Sequence, residues 1–262
     1  MKIVSLQLPV RLSDVDGNLE QFKDALAQLS DEQDTIVILP EMWMCGFDYG
    51  RLTEFSERTD DVLKSIEGII NDNTLVISAL PERNQNKVFN TVYAVSKNGV
   101  QAKYRKSFLF TPMREDEYID KGNADPVVFD FKGVKVGLLL CYEIRFPEMF
   151  RMTAFAGADI IAVPAIWPQM KKDHWLTLMK ARAIENQCYI AGCNTSVMHG
   201  KKDMPCGFSA AVDPWGEFLY EPSAEEGIYT AEADVSVVND IRTKIPSFYD
   251  AKGYFDIKGK TS

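Results

Sequence analysis

Three residues in this chain pair a reactive side chain with a position that would hold it rigidly: Cys141, Glu41 and Lys106. Cys141 closes the apolar run Val134–Leu140, which has the composition of a strand buried on both faces. Pro147 and Glu148 then suit the first turn of a helix, because proline is pre-set for that position and a carboxylate complements the dipole. A thiol between a buried strand and a helix start sits where backbone N–H groups converge. Such a setting stabilises a thiolate and can hold an oxyanion. A buried structural thiol accounts for the same local pattern equally well.

A cysteine nucleophile needs a base. Only two histidines are present, His174 and His199. His174 opens a helix beside Trp175, where a capping or surface role suits it, and His199 lies in the polar run His199–Asp203. A Cys–His pair and a metal site built on imidazole are therefore both disfavoured. Glu41 is the alternative base. It follows the apolar run Ile36–Leu39, and the carboxyl ends of strands in α/β sheets are where ligands bind. Held against Trp43 and Met44, it would lose hydration and become a stronger base. Taken alone, it reads equally as a cap or an ion-pair partner. Lys106 lies in Lys103–Phe110, which carries three basic residues among aromatics. It either supplies fixed positive charge or belongs to a solvated basic edge.

The elements that must carry these residues alternate in type. Helical spacing over Asn18–Leu29 separates the strand-like starts Lys2–Pro9 and Thr35–Leu39. A second helix is expected at Asp61–Ile70 and a strand at Thr74–Leu80. Val88–Ser96 and Val100–Tyr104 flank Lys97-Asn98-Gly99, a hairpin signal. A polar loop, Ser107–Pro126, precedes a strand at Val127–Phe131, the turn Lys132-Gly133 and the cysteine strand. The second half repeats this grammar: helix Pro147–Ala156, strand Asp159–Val163, helix His174–Gln187 and strand Tyr189–Cys193. Phe208–Val212 and Glu217–Tyr220 read as a hairpin, followed by a strand at Gly227–Ala233. From about Asp240 the chain reads as an irregular tail carrying Phe248, Tyr249, Tyr254 and Phe255, docked on some surface. The runs around Lys2–Leu6 and Asp34–Pro40 echo those around Lys135–Leu139 and Asp159–Pro164, which suits two β-α-β halves. No linker separates them, so residues 1–262 read as one domain of α/β class.

The 262 residues carry a formal net charge of -9, which argues against nucleic acid or an anionic membrane surface as partner. Met1–Ser5 lacks the apolar length of a signal peptide, and no segment is apolar enough to span a bilayer. Five cysteines without a C-x-x-C pair point to a reducing, cytoplasmic setting.

Three ordered blocks resemble the nitrilase superfamily of carbon–nitrogen hydrolases: Ile38–Met42, Tyr104–Phe110 and Leu140–Glu148. Ala181–Gln187 and Asp213–Gly216 extend the likeness over nearly the whole chain. The resemblance implies a four-layer α-β-β-α sandwich that pairs into a homodimer and uses no metal or organic cofactor. It implies a catalytic Glu–Lys–Cys set at Glu41, Lys106 and Cys141, with the Tyr142 N–H as oxyanion donor. A second glutamate is implied in the loop after the lysine. Glu115 is the best match, with Glu117 close enough to compete. The blocks depart from the common pattern at Phe108, where many members have His, and at Glu143, where many have Asp.

The implied reaction is cleavage of a small-molecule amide through a cysteine thioester. The Cys141–Pro147 block looks most similar to omega-amidase-type members, which act on monoamides of small dicarboxylic acids such as 2-oxoglutaramate. A second carboxylate on the substrate calls for a fixed cation, and Arg145 and the Lys171-Lys172 pair are the nearest. Each has an ordinary alternative, in bracing the cysteine turn or in solvation. Pocket walls are expected from Trp43–Arg51, Ser107–Asp120, Ala165–Asp173 and Asn194–Pro205, with Trp167 as a substrate contact. An N-carbamoyl amine amidohydrolase, an acyl transferase and a non-catalytic scaffold of the same fold stay compatible with these residues.

Overall fold

The structure, a computed structural model, describes residues 1–29 and 33–259. The first half runs β1 (Lys2–Gln7), β2 (Val10–Arg11), α1 (Val15–Ala27), β3 (Thr35–Ile38), α2 (Leu52–Ser56), α3 (Thr59–Ile69), β4 (Thr74–Asn84), β5 (Lys87–Ser96) and β6 (Gly99–Arg105). The second runs β7 (Val127–Phe131), β8 (Val134–Leu138), α4 (Pro147–Phe155), β9 (Ile160–Ala165), α5 (Lys172–Asn186) and β10 (Tyr189–Asn194). It continues with β11 (Val197–His199), β12 (Met204–Pro205), β13 (Ala210–Val212), β14 (Gly227–Glu232), α6 (Ser236–Lys244) and α7 (Ser247–Gly259).

Two sheets form the centre. One has the order β14-β1-β3-β4-β5-β6 and the other β13-β10-β9-β8-β7. In each, the inner strands are parallel (β1, β3 and β4; β8, β9 and β10) and the outer ones antiparallel. Side chains alternate across a strand, and here both directions are apolar. Ile36 and Ile38 of β3 and Leu75 and Ile77 of β4 point between the sheets. Val37, Leu39 and Val76 point the other way, onto Phe22 of α1 and Val62 and Ile66 of α3. On the far sheet, α4 and α5 cover β8, β9, β10 and β13. The layers are therefore helix, sheet, sheet, helix, and the β-α-β units β1-α1-β3 and β8-α4-β9 occupy corresponding places. Gly192 permits the close seat of α5 on β10, since a Cβ there would lie 2.5 Å from the Trp175 ring.

Several elements differ from the expectation. α1 begins at Val15 because the Asp14 side chain caps the Gly17 N–H. Glu217–Tyr220 forms no strand; only Phe218 bridges Val212. The Asp213 carboxylate takes the Glu217 N–H, which a longer ladder would pair with the Asp213 carbonyl. The C-terminal segment is helical rather than irregular. Phe248 is buried in an edge-to-face pair with Phe155 of α4, and the Arg242 guanidinium lies 4.0 Å from its ring centre. Tyr249 and Tyr254 are exposed; the Phe255 side chain lies outside the described residues. Among the described residues no helix is long and apolar enough to cross a membrane.

Candidate active site

Glu41 and Cys141 each follow a strand of the inner, parallel part of a sheet, three residues beyond β3 and β8 respectively. Both strand ends open at the same edge of the sandwich, where the Glu41 N–H bonds the Ala165 carbonyl at the end of β9 (3.2 Å). Lys106 arrives from the end of β6, its N–H fixed to the Asn90 carbonyl of β5 (2.8 Å). The three side chains meet. Lys106 Nζ donates to Glu41 Oε1 at 2.8 Å, and the Cys141 thiol sits beside Glu41 and donates to the Ile166 carbonyl at 3.7 Å. Cys141 has φ +41°, a left-handed backbone that a non-glycine residue keeps only where its surroundings enforce it. It stands at the head of a short 3₁₀ turn (Cys141–Arg145) that precedes α4, rather than at the start of that helix.

The structure also separates the two loop glutamates. Glu115 is buried and accepts Lys106 Nζ on both oxygens at 2.9 Å, while Glu117 is exposed and pairs with Arg114. The Phe110 N–H holds Glu115 Oε2 at 2.6 Å. Burial alone would discharge Lys106, but Glu41 and Glu115 beside it more than offset that and hold its pKa well above the usual ammonium range. Burial and the Glu41 carboxylate push the Cys141 thiol well up, against the pull of Lys106. The resting site is thus a thiol beside a carboxylate, with an ammonium locked between two acids.

The expected surroundings of Glu41 are corrected. Trp43 does not press on it: its ring packs on Phe22 and its Nε1 donates to Ser78, in the layer behind the first sheet. Glu41 is buried instead by polar partners, namely Lys106, the Asn90 amide (2.8 Å) and the Ile166 N–H (3.2 Å). Asn90 went unnoticed in the sequence. Its Nδ2 reaches both Glu41 Oε1 and Glu115 Oε1, so it spaces the two acids. The signal was an asparagine inside an otherwise apolar strand, where that residue is disfavoured.

A pocket with mainly apolar and aromatic walls opens over these groups. Each of the expected wall loops reaches it: Phe47 and Tyr49, then Phe110 and Met113, then Trp167 and Lys171, then Met204. Arg145 lines the same pocket, its guanidinium over the Trp167 ring at 4.7 Å and its Nη2 3.4 Å from His174 Nδ1. Trp167 is fixed through its Nε1 to the Lys171 carbonyl and its N–H to Asn194 Oδ1. Neither Arg145 nor Lys171 has a carboxylate in ion-pair range among the described residues; Lys171 Nζ lies 5.4 Å from the Phe110 ring centre. Lys172 points away, over Phe208. Neither histidine touches Cys141 among the described contacts, and His199 pairs with Asp203.

Two stacked sheets of this topology, with a buried acid, lysine and thiol at one shared edge, define a carbon–nitrogen hydrolase of the nitrilase superfamily, and the chain belongs to that family. The carbon–nitrogen hydrolase family model matches residues 2–243. The 2-oxoglutaramate amidase of Bacillus subtilis strain 168 is 34% identical over 257 residues, covering 95% of this chain and 97% of the relative. Omega-amidase YafV of Escherichia coli K12 is 30% identical over 253 residues, covering 96% of each. The crystal structure of Saccharomyces cerevisiae Nit3, a member of branch 10 of the nitrilase superfamily, superposes with a TM-score of 0.82 at 25% identity over 94% of each chain. The protein is an amidase of this family.

Proposed function

We propose that the protein hydrolyses monoamides of small dicarboxylic acids, of the 2-oxoglutaramate kind, through a thioester on Cys141. The observation that carries the reading is a pair of cations, Arg145 and Lys171, that have no carboxylate partner among the described residues and lie on the wall of the pocket that holds Cys141, Glu41 and Lys106. They suit the distal carboxylate of such a substrate, and the names of the two amidase relatives support the same choice.

In this mechanism Glu41 takes the thiol proton as Cys141 Sγ attacks the amide carbon. The carbonyl oxygen becomes an oxyanion held by Lys106 Nζ and the Tyr142 N–H; loss of one such donor typically costs about 3–4 kcal/mol. The C–N bond breaks as Glu41 returns the proton to nitrogen, and ammonia leaves. Water then attacks the thioester with Glu41 again as base, releasing the acid and restoring the thiol. Glu115 keeps Lys106 charged and in place, while Tyr49, whose hydroxyl burial pushes up, stays neutral on the pocket wall.

Succinamate is expected to have a kcat/KM at least about tenfold above that of butyramide, a neutral amide of equal length. Lys171→Met is expected to raise KM for succinamate on the order of tenfold and to leave that for butyramide within about threefold. Equal use of both amides would defeat the dicarboxylate assignment and leave the amidase chemistry standing.

The homodimer is also a proposal. Ile184 of α5 is exposed and touches the Asp213–Gly216 turn, which carries the exposed Trp215. An apolar patch of this kind suits burial against a second copy, and five unpaired, buried cysteines suit a reducing cytoplasm. Light scattering at micromolar concentration is expected to give twice the chain mass; a monomer mass refutes the pairing.

A further inference from the structure

We propose that Glu143 is a positioning residue for amide cleavage: its ionised carboxylate ties the turn bearing Cys141 to the segment bearing Lys106. The contacts are specific. Oε1 accepts the Tyr104 hydroxyl (2.6 Å), the Ser107 N–H (2.7 Å) and the Phe108 N–H (3.2 Å). Oε2 accepts the Leu140 N–H at 2.9 Å. One fully buried side chain is therefore fastened to residues on both sides of Lys106 and to the residue just before Cys141. The bond to Leu140 bears directly on the left-handed backbone at Cys141, a conformation that must be imposed from outside. Glu143 touches none of the reacting atoms itself.

All of these partners donate. A protonated carboxyl would turn an O–H towards one of them. Only the Tyr104 hydroxyl can rotate to accept it, so protonation removes the Tyr104 donor from the tie and the negative charge that strengthens its three N–H bonds. The titratable groups facing Glu143 are Tyr104 on β6 and Lys106 just beyond that strand, while Arg182 of α5 holds the same turn through the Ile144 carbonyl. Burial raises the carboxyl to about 7, against the lowering effect of Tyr104, the Ser107 and Phe108 N–H groups and Lys106. The functional, ionised form is thus present above that value and is lost as pH falls through it. A glutamate that touches none of the reacting atoms becomes an acid limit on the reaction.

The inference rests on Cys141, Glu41 and Lys106 as the catalytic set. Its test follows kcat and KM for succinamate against pH in wild type, Glu143→Gln and Glu143→Asp. Wild-type kcat is expected to fall about tenfold per pH unit below the titration. Glu143→Gln mimics the protonated form. Its kcat is expected to be about 10- to 100-fold lower on the alkaline plateau, with KM within about threefold and without that acid limb. Glu143→Asp, which restores a carboxylate, is expected to recover most of the rate together with an acid limb. Wild-type rates in Glu143→Gln, or an unchanged acid limb in it, overturn the proposal.

An infrared titration covers the case in which the glutamine variant fails to fold. Protein labelled with [¹³C]glutamate is expected to show a protonated carboxyl band that disappears across the same pH range and is missing in Glu143→Asp. No such band, or one that persists in the aspartate variant, also overturns it. This second readout needs no substrate, so failure of the catalytic set itself, seen as activity surviving in Cys141→Ala, is separately recognised.

Discussion

Cys141→Ala is expected to fold normally and to lose turnover on the order of 10⁴-fold or more, the scale seen when a nucleophile is removed from a nucleophile–base unit. The substitution takes one sulfur from the floor of a pocket, where Cys141 is 7% exposed, and leaves Leu139 and Leu140 packed in the core between the sheets. Alanine bears the left-handed backbone no worse than cysteine, since both carry a Cβ. The chemical step has no substitute. The other four cysteines are buried and line no part of the pocket. Intact mass after brief incubation with succinamate is expected to show an acyl adduct on wild type and none on Cys141→Ala. Appreciable turnover by the variant would remove the thioester mechanism altogether.

Lys106→Met is expected to reduce kcat on the order of 10³-fold, and it costs stability as well as rate. Methionine fills much of the same volume but leaves Glu41 and Glu115 buried, joined through the Asn90 amide and no longer through an ammonium. Removing one partner from a buried ion pair typically costs about 3–5 kcal/mol. In a chain of this size that corresponds to a melting temperature about 10 °C lower. The sign with pH follows from the wild-type lysine. Its raised pKa means that its stabilisation is complete below the unfolded value of an ordinary lysine and is lost only as pH rises through the still higher folded value. The deficit of the variant should therefore persist across neutral pH and shrink towards acid, where a carboxyl of the pair can take up a proton. Calorimetry from mildly acid to neutral pH checks this; a deficit that grew on acidification would contradict the ion-pair account. The double variant Cys141→Ala, Lys106→Met should turn over within a few-fold of Cys141→Ala, because the oxyanion charge has no role once the nucleophile is gone. Multiplicative losses would show that the two residues act separately.

The sequence by itself determined the reaction class and the layering. β3, β4 and β8 were readable because a strand buried on both faces is apolar at every position, a property of the strand and not of its partners. The reactive residues were readable because each ends such a run or its hairpin, so local pattern already placed them at an edge. What lacked a local signature went unread. The short strands β2, β11 and β12 carry too few residues for a period, and the aromatic residues of α7 do not follow helical spacing.

Tertiary structure alone decided which groups meet. It chose Glu115 over Glu117, two residues apart and equally acidic, by burying one against Lys106 and leaving the other with Arg114. It sent Trp43 behind the sheet and surrounded Glu41 with donors instead, and it split Lys171 from Lys172 by turning successive side chains at the start of α5 in different directions. Glu143 is linked across 36 residues to the Ser107 N–H, and Asn90 across 49 to Glu41. Contacts of that separation depend on the packing of two sheets and on the loops at their common edge. Periodicity, which reports only what a residue's near neighbours in the chain require, carries no trace of them.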